Sequence, residues 1–512
     1  MLLIRNLRFT KEPSKEELKD KIIKRLHTKN KDFSFKIHKK SIDSRKQTEY
    51  VYQVLVSIDN EFIYLEHKDV VKYSQDKIIF PKVKTNDKPI IIGYGPSGMF
   101  ACIKLLDSNI KSIVFEKGKR IKDRVKDVEN FINNGILNEN SNIQFGEGGA
   151  GTFSDAKLTT RIKNKYIDYI LDTLIEFGAD PKIKTDAHPH IGSDEIRKII
   201  ERITNYLMEN GIEFHFDEEV IDFNIVDNRI QSIKTNQNEY KSNYYILAIG
   251  HSAYNTVKRL HELNTYIEKK DIAVGFRVEH HQNFIDNNQY SNSNNDIKEA
   301  SEYFLTYKDK YNVYSFCMCP GGYIIPSTSI KNHIVTNGMS NASRDSGFAN
   351  SAILIQVPSE LFGDDVLSGY KYIYDIEEKA YNHSKSYKAL SQNISDYMEN
   401  KTTPLLFEST YKHGTVLYDF NNLFTNEQNE IFKKAFKHFD TKIKGFINNG
   451  IMIGPETRSS SPIRIKRDEK CRSINIENLY PAGEGAGYGG GIMSCSLDGI
   501  RIADYIIEEY LR

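Results

Sequence analysis

The stretch from Pro89 to Glu116 constrains the chain more than any other. Pro89-Ile90-Ile91-Ile92 is a short apolar run. Gly93-Tyr94-Gly95-Pro96-Ser97-Gly98 is a glycine turn, Met99–Leu106 opens as an apolar helix, and Ser112–Phe115 is a second apolar strand. Strand, turn, helix and strand in this order predict a βαβ unit, hence parallel strands with helices packed on the sheet. In such a unit Gly93 permits the tight turn, Gly95 lets backbone approach a pyrophosphate, and Gly98 lets the helix pack close to the strand. Pro96 and Ser97 open the helix, whose unpaired N–H groups and partial positive charge suit phosphate. Glu116 ends the second strand, where a carboxylate can accept hydrogen bonds from both ribose hydroxyls, with Lys117 beside it. Dinucleotide binding is the expectation; the plain alternative is a structural turn followed by a surface acid. Gly146–Gly151 and Gly485–Gly490 fit the same glycine spacing, but neither lies between a strand and a helix as the motif requires.

A chain of 512 residues has room for two to four domains, and 39% hydrophobic with 27% charged residues supports a real core. The net charge of +1 gives no global drive toward nucleic acid or acidic membranes. Residues 1–50 alone carry +8, with 15 Lys+Arg against 7 Asp+Glu, so the remainder is acidic. Five cysteines make no disulfide framework. The opening Met1-Leu2-Leu3-Ile4-Arg5 never becomes a signal-peptide apolar core, and no run is long enough to span a membrane. A reducing cytoplasm is the expected compartment.

The domain reading is as follows. Residues 1–85 form a small α/β unit with strands at Leu2–Phe9, Phe33–Ile42 and Tyr50–Ile58 and a helix at Ser14–Leu26, where Ser14 and Glu17 make a capping box. A ferredoxin-like split βαβ topology is expected for it. Residues 86–273 are the first part of the nucleotide-binding domain, which includes the buried run Tyr244–Ile249. Residues 274–450 are an inserted β-rich substrate domain with helical inserts, in which the polar Asn283–Asn295 reads as a loop. Residues 451–512 return to the nucleotide-binding domain with a strand at Leu479–Ala482, a glycine loop at Gly483–Gly491 and a helix at Ile492–Leu511.

The late strand, glycine loop, acid and helix in Tyr480-Pro481-Ala482-Gly483-Glu484-Gly485-Ala486-Gly487 resemble the C-terminal FAD element of the glutathione-reductase-like flavoproteins. Leu247-Ala248-Ile249-Gly250 resembles the middle strand motif of that superfamily, and Glu219-Val220 the strand whose backbone meets the adenine. Further motifs accompany them: Gly146-Glu147-Gly148-Gly149-Ala150-Gly151-Thr152-Phe153-Ser154-Asp155, His188-Pro189-His190-Ile191-Gly192, Gly250-His251-Ser252-Ala253, Tyr314-Ser315-Phe316-Cys317-Met318-Cys319-Pro320-Gly321-Gly322, Asn337-Gly338-Met339-Ser340 and Glu456-Thr457-Arg458. As a set they resemble the bacterial family of uncharacterised FAD-dependent dehydrogenases over nearly all of residues 89–512. Ala156 stands where that family leads us to expect Gly, Pro455 where we expect a β-branched residue, and Glu484 where the wider superfamily commonly has Asp. The resemblance implies a Rossmann-type FAD domain split in sequence, one FAD, and hydride exchange between a small-molecule substrate and flavin N5. It implies that Gly483 and Glu484 hold the ribityl chain. It also implies that Gly490, Gly491 and Ile492 start a helix whose N-terminus stabilises reduced flavin.

Candidates for the chemistry follow. Gly148, Gly149, Ala150, Gly151 and Thr152 offer consecutive N–H groups to phosphate or flavin oxygens. Lys157 and Arg161 are candidate anion holders. Arg277 lies in the apolar Val274–Val278 strand and needs a partner, either a substrate carboxylate or a structural Glu. Arg458 faces the same choice, with Glu456 as its structural partner. His280 is a candidate acid/base. Cys317 and Cys319 invite a dithiol reading, but on a regular strand their Cα atoms stand about 6.6 Å apart, at the upper edge of disulfide geometry. No histidine falls at zinc spacing with the cysteines, so no metal is expected. No second strand-embedded glycine motif marks an NAD(P) domain, so the electron partner is the substrate itself, a transient NAD(P)H or a redox protein. The rival readings are a flavoenzyme docking RNA through its basic front end, and a non-catalytic flavin-binding redox sensor or scaffold.

Overall fold

The computed structural model describes residues 1–45, 48–74, 78–290 and 299–512. At the front, four antiparallel strands lie side by side in the order Ser34–Asp43, Glu49–Ser57, Leu2–Phe9, Val70–Lys72. The helix Lys15–Leu26 turns Leu18, Ile22 and Leu26 into this sheet. Its start is fixed by Ser14 accepting from the Glu17 N–H while the Glu17 carboxylate accepts from the Ser14 N–H. The second helix of a ferredoxin-like unit is replaced by one 3-10 turn, Glu61–Tyr64. The Ser34–Asp43 edge continues into the main body, where Lys40 exchanges backbone hydrogen bonds with Thr185 and Ala187.

Five parallel strands make the next sheet, in the order Leu479–Pro481, Tyr245–Leu247, Ile90–Ile92, Ile113–Glu116, Glu213–Phe216. The central ones are only three or four residues long and nearly all buried, as expected of strands covered on both faces. Ile91 and Ile246 face a core built from the helices Pro96–Asp107, Tyr166–Glu176, Ser193–Glu209 and Ile492–Leu511. Ile90, Ile92, Tyr245 and Leu247 face a second core beneath the three-stranded sheet of Val220–Val226, Arg229–Thr235 and Glu239–Tyr240 and the helix Tyr254–Glu262. The first and last of the four helices cross at backbone contact, since a Cβ on Gly499 would lie 2.0 Å from the Ser97 carbonyl oxygen. The Ser97 hydroxyl donates to the Cys495 carbonyl at 2.8 Å at the same crossing.

A seven-stranded sheet holds the third core. Its order is Thr306–Tyr307, Val313–Cys319, Phe348–Val357, Ile272–His281, Ile451–Glu456, Ala389–Asn393, Thr415–Leu417. Ile451–Glu456, which opens the last segment in the sequence reading, therefore pairs into the sheet of the preceding one. Phe276 sits among Phe420, Phe424, Phe432 and Phe436, under the helix Asn426–Lys442. The expected loop at Asn283–Asn295 is a helix, Gln282–Gln289, up to its described end. Ile285 anchors it in the core, and Gln282 donates to Asp286 four residues on. Residues 291–295 of that stretch lie outside the described residues. No described helix is long and apolar enough to cross a membrane.

Candidate active site

The carboxyl ends of the parallel strands open into one cleft with about 1640 Å³ of free space counted out to its mouth. This is where parallel sheets place their ligands. Gly93, Gly95, Pro96 and Ser97 line it from the first turn, Glu116 and Lys117 from the second strand, and Gly149, Ala150 and Gly151 from the second glycine loop. Val220, Ala248, Gly250, Glu484, Gly490, Gly491 and Ile492 complete the set of lining residues expected from sequence. Gly98, Gly148, Thr152 and Gly483 stand behind this wall. A Cβ on Gly98 would meet the Gly93 carbonyl at 2.1 Å, and one on Gly483 would meet the Ser97 hydroxyl at 2.3 Å. Gly148 has φ +84°, and the Thr152 hydroxyl donates to the Glu147 carbonyl at 3.0 Å.

Two helix N-termini open into the cleft without a side-chain cap, Pro96–Asp107 behind Gly95 and Ile492–Leu511 behind Gly491. The two glycine loops press together beside the first, where a Cβ on Gly149 would lie 2.9 Å from the Gly95 Cα. Bare backbone and two free helix ends fit a long, negatively charged dinucleotide. Glu116 does more than the sequence suggested. Its carboxylate accepts from the N–H groups of Tyr94 (2.9 Å), Gly118 (3.0 Å) and Gly146 (2.9 Å), which ties both glycine loops to the end of its own strand. Sequence reasoning missed Arg124. It is fully buried and donates to four carbonyls, of Asn142, Ile143, Glu147 and Gly149, at 2.7–3.0 Å. It holds the second loop in place; burial draws its guanidinium down to about 10.

At the other end of the cleft the seven-stranded sheet supplies Phe316, Cys317 and Glu456, with Asn337 and Arg458 beside them. The two candidate arginines are both engaged. Arg277, off the lining, makes a bidentate pair with Glu456 (2.6 and 3.1 Å) and donates to Cys317 O, Asn337 and Asn350. Arg458 pairs with Glu377 (2.9 and 2.8 Å), not with Glu456 as expected, and its remaining N–H groups reach Ser252 and Ser329. Charges this deeply buried need such partners, and neither guanidinium is left free for a substrate anion. His280 is fully buried between Phe284 and Phe446, donates from Nε2 to the Phe446 carbonyl at 2.9 Å, and does not line the cleft. Burial lowers it to about 4, so it is corrected from acid/base candidate to core histidine. His251 lines the cleft 3.6 Å from Glu484. Arg161 is exposed and off the lining.

A carboxyl at the end of the Gly146–Asp155 motif, absent from the candidate acids and bases, stands half-paired. Asp155 lines the cleft and is 1% exposed. Its Oδ2 accepts from Arg344 at 3.0 Å with Lys157 at 3.8 Å, while its Oδ1 has no partner among the described residues. Burial raises it to about 6 against the pull of Arg344 and Lys157. Lys157 and Arg344 also pair with Glu302, at 3.3 and 3.1 Å. The neighbouring Ala156, where the family resemblance led us to expect Gly, has φ +53°, a left-handed conformation that favours Gly. No group of three His, Cys, Asp or Glu among the described residues is arranged to hold a metal.

Residues 271–459, the span of the seven-stranded sheet, match the family described as FAD-dependent protein, C-terminal domain-like, and residues 1–58 match a domain of unknown function (DUF8436). Fold, cleft and match define a FAD-dependent flavoprotein, with FAD as its cofactor. An "Uncharacterized protein" of Clostridium beijerinckii is 36% identical over 99% of this chain and 98% of its own length. The chain belongs to the same family as that clostridial protein. Among solved structures, the flavin-dependent brominase Bmp2 aligns over 83% of this chain and 79% of its own at 12% identity and a TM-score of 0.39. L-proline dehydrogenase from P. horikoshii aligns over 84% and 94% at 12% identity and a TM-score of 0.35. Both likenesses are too loose to lend this chain any property.

Proposed function

We propose that this flavoprotein is an oxidoreductase that exchanges hydride with a small-molecule substrate at the Asp155 end of its cleft. The observation that carries the reading is a half-paired buried carboxyl, Asp155, in the same cleft as two uncapped helix N-termini. The first N-terminus, with the Gly93–Gly98 turn and the Gly148–Thr152 loop, would hold the FAD phosphates, and Glu116 and Lys117 the ribose. Val220 and Ala248 would flank the adenine end, and Glu484 and the Gly490–Ile492 helix start the flavin end, in the split domain plan of the glutathione-reductase type. Bound there, FAD supplies two-electron acceptance at N5.

The protein's own part is to orient, neutralise and move a proton. The Ile492–Leu511 helix start would favour negative charge on the reduced cofactor. Asp155, raised to about 6, can hold or release a proton near neutral pH while Arg344 and Lys157 fix its other oxygen. With no second nucleotide motif in the chain, NAD(P)H or a redox protein would serve as electron partner at this same cleft. A cytoplasmic site of action fits the cysteine usage. RNA docking through the basic front end stays the rival reading; of its 15 cations Arg8, Arg25 and Lys40 are engaged by Asp43, Glu49, Asp69 and Glu12.

The test is an absorption spectrum of the purified protein before and after anaerobic NADH or NADPH. Flavin bands near about 370 and 450 nm that bleach within the mixing time support the reductase reading. Bands that yield only to dithionite move the electron source to a substrate or protein donor. A protein that neither carries nor takes up FAD overturns the assignment of the cleft.

A further inference from the structure

The strand Val313–Cys319 is not regular where its two cysteines lie. Its register against Phe348–Val357 shifts between Phe316 and Cys319, and Cys317 has φ +45°. A bulge of this kind kinks the chain and re-aims side chains, so the extended-strand spacing that argued against a thiol pair does not apply. The Cys319 thiol donates to the Cys317 carbonyl oxygen at 3.3 Å, so the bulge brings the two residues onto each other. Two cations, the buried Arg277 and the half-buried Lys157, hold the bulge by its carbonyls: Arg277 donates to Cys317 O at 3.0 Å, and Lys157 donates to Met318 O. Arg277 is also 3.9 Å from the Cys319 sulfur.

The pair is asymmetric. Cys317 is half-buried and lines the cleft, whereas Cys319 is fully buried behind it. The neighbouring Cys319 thiol, then Arg277 and Lys157, draws the Cys317 thiol down, while Cys319 is pushed up by Cys317 and by burial. The other cysteines, Cys102, Cys471 and Cys495, are buried and pushed up by desolvation. An accessible thiolate beside cations, backed by a protonated thiol, is the arrangement of a reactive dithiol.

We propose that Cys317 and Cys319 are a redox-active dithiol at the substrate end of the cleft, exchanging an electron pair with the bound FAD. This rests on the placement of FAD proposed above. In the step, an S–S bond forms between the Cys317 thiolate and Cys319, and the Cys319 S–H bond breaks. Two electrons and that one proton pass to the oxidised flavin, which becomes its anionic reduced form; the reverse step opens the disulfide. No further reactant is needed.

The test starts the holoprotein, without oxygen, from both opposite states: dithiol with oxidised flavin, and diamide-made disulfide with dithionite-reduced flavin. Flavin absorbance and the mass of the alkylated Cys317-Met318-Cys319 peptide are followed together. Expected is exchange in at least one direction, one disulfide made or opened per flavin changed, and none in C319A, whose flavin bands show that it has folded. Both starting states persisting unchanged would overturn the proposal. As an independent arm, iodoacetamide at pH 6.5 should label Cys317 at least tenfold faster than a free peptide thiol. A rate no faster than that peptide also overturns it, and this arm reads out even on protein stripped of FAD. Absence of FAD binding would instead count against the cofactor placement.

Discussion

At the scale of single residues, the cleft depends on atoms that are missing and on one carboxyl out of water. Gly149 has φ +66° and faces Gly95 at backbone contact. Gly149→Ala would add about 1 kcal/mol of left-handed strain and wedge the two glycine loops apart. The expected result is FAD affinity at least tenfold weaker, by fluorescence titration, with an unchanged far-UV spectrum. Asp155 ties the site to pH. Its carboxyl is raised to about 6 in the folded protein, above the unfolded value near 4. Between these limits the folded state keeps a proton that the unfolded chain has lost. Stability therefore falls as pH rises through that window and is flat above it, by an amount on the order of 3 kcal/mol. The difference in unfolding free energy between the wild type and Asp155→Asn, measured in denaturant from pH 4 to 7, should show this slope. The sequence places Asp155 at the end of the Gly146–Asp155 motif but shows none of this. Its meaning comes from Arg344 and Glu302, which lie well over a hundred residues downstream.

At the scale of elements, the parts read correctly from sequence are those whose signal is local. The strand–turn–helix at Ile90–Asp107, the capped helix after Ser14 and the last helix after Gly491 each carry their pattern within about twenty residues. What escaped was every pairing chosen at a distance. Arg277 and Glu456 meet because Ile272–His281 and Ile451–Glu456 are neighbouring strands, and Arg458 finds Glu377 on the helix Ser368–Ser384. The thiol bulge escaped because a register shift leaves no mark in the alternation of residues. Arg124 is the clearest case of an element set by one distant side chain, since the 142–149 loop hangs on its four hydrogen bonds. Arg124→Met would strand those carbonyls in the core and cost about 3 kcal/mol or more. Urea unfolding should register that loss, together with weaker FAD binding, because Gly149 goes with the loop.

For the whole molecule, one cofactor would lie across strands from both ends of the chain. The first glycine turn follows Ile90–Ile92 and the last glycine loop follows Leu479–Pro481, two strands separated in the sheet by Tyr245–Leu247 alone. Binding energy put into the cleft should therefore stabilise both regions together, by about 2.7 kcal/mol when free FAD is a hundredfold above its dissociation constant. Limited proteolysis of the stripped protein should cut at the exposed Gly490–Gly491 and lose protection around Gly93–Gly98 at the same rate, and added FAD should restore both at once. Independent recovery of the two regions would mean that the cleft is not occupied along its length.

The pairing of Tyr245–Leu247 with Leu479–Pro481 also sets a clock on biosynthesis. A ribosome that has just made Tyr245–Leu247 leaves one side of that strand unpaired until Leu479–Pro481 emerges. At ordinary bacterial speeds that wait lasts roughly ten to fifty seconds. For that time the nascent chain presents a strand edge of unpaired N–H and C=O groups and a cleft that lacks its Glu484 and Gly490–Ile492 lining. Filling the whole cleft must then be a late event, and any chaperone that attends this chain has its work defined in advance: to cover one short edge until Leu479–Pro481 arrives to pair with it.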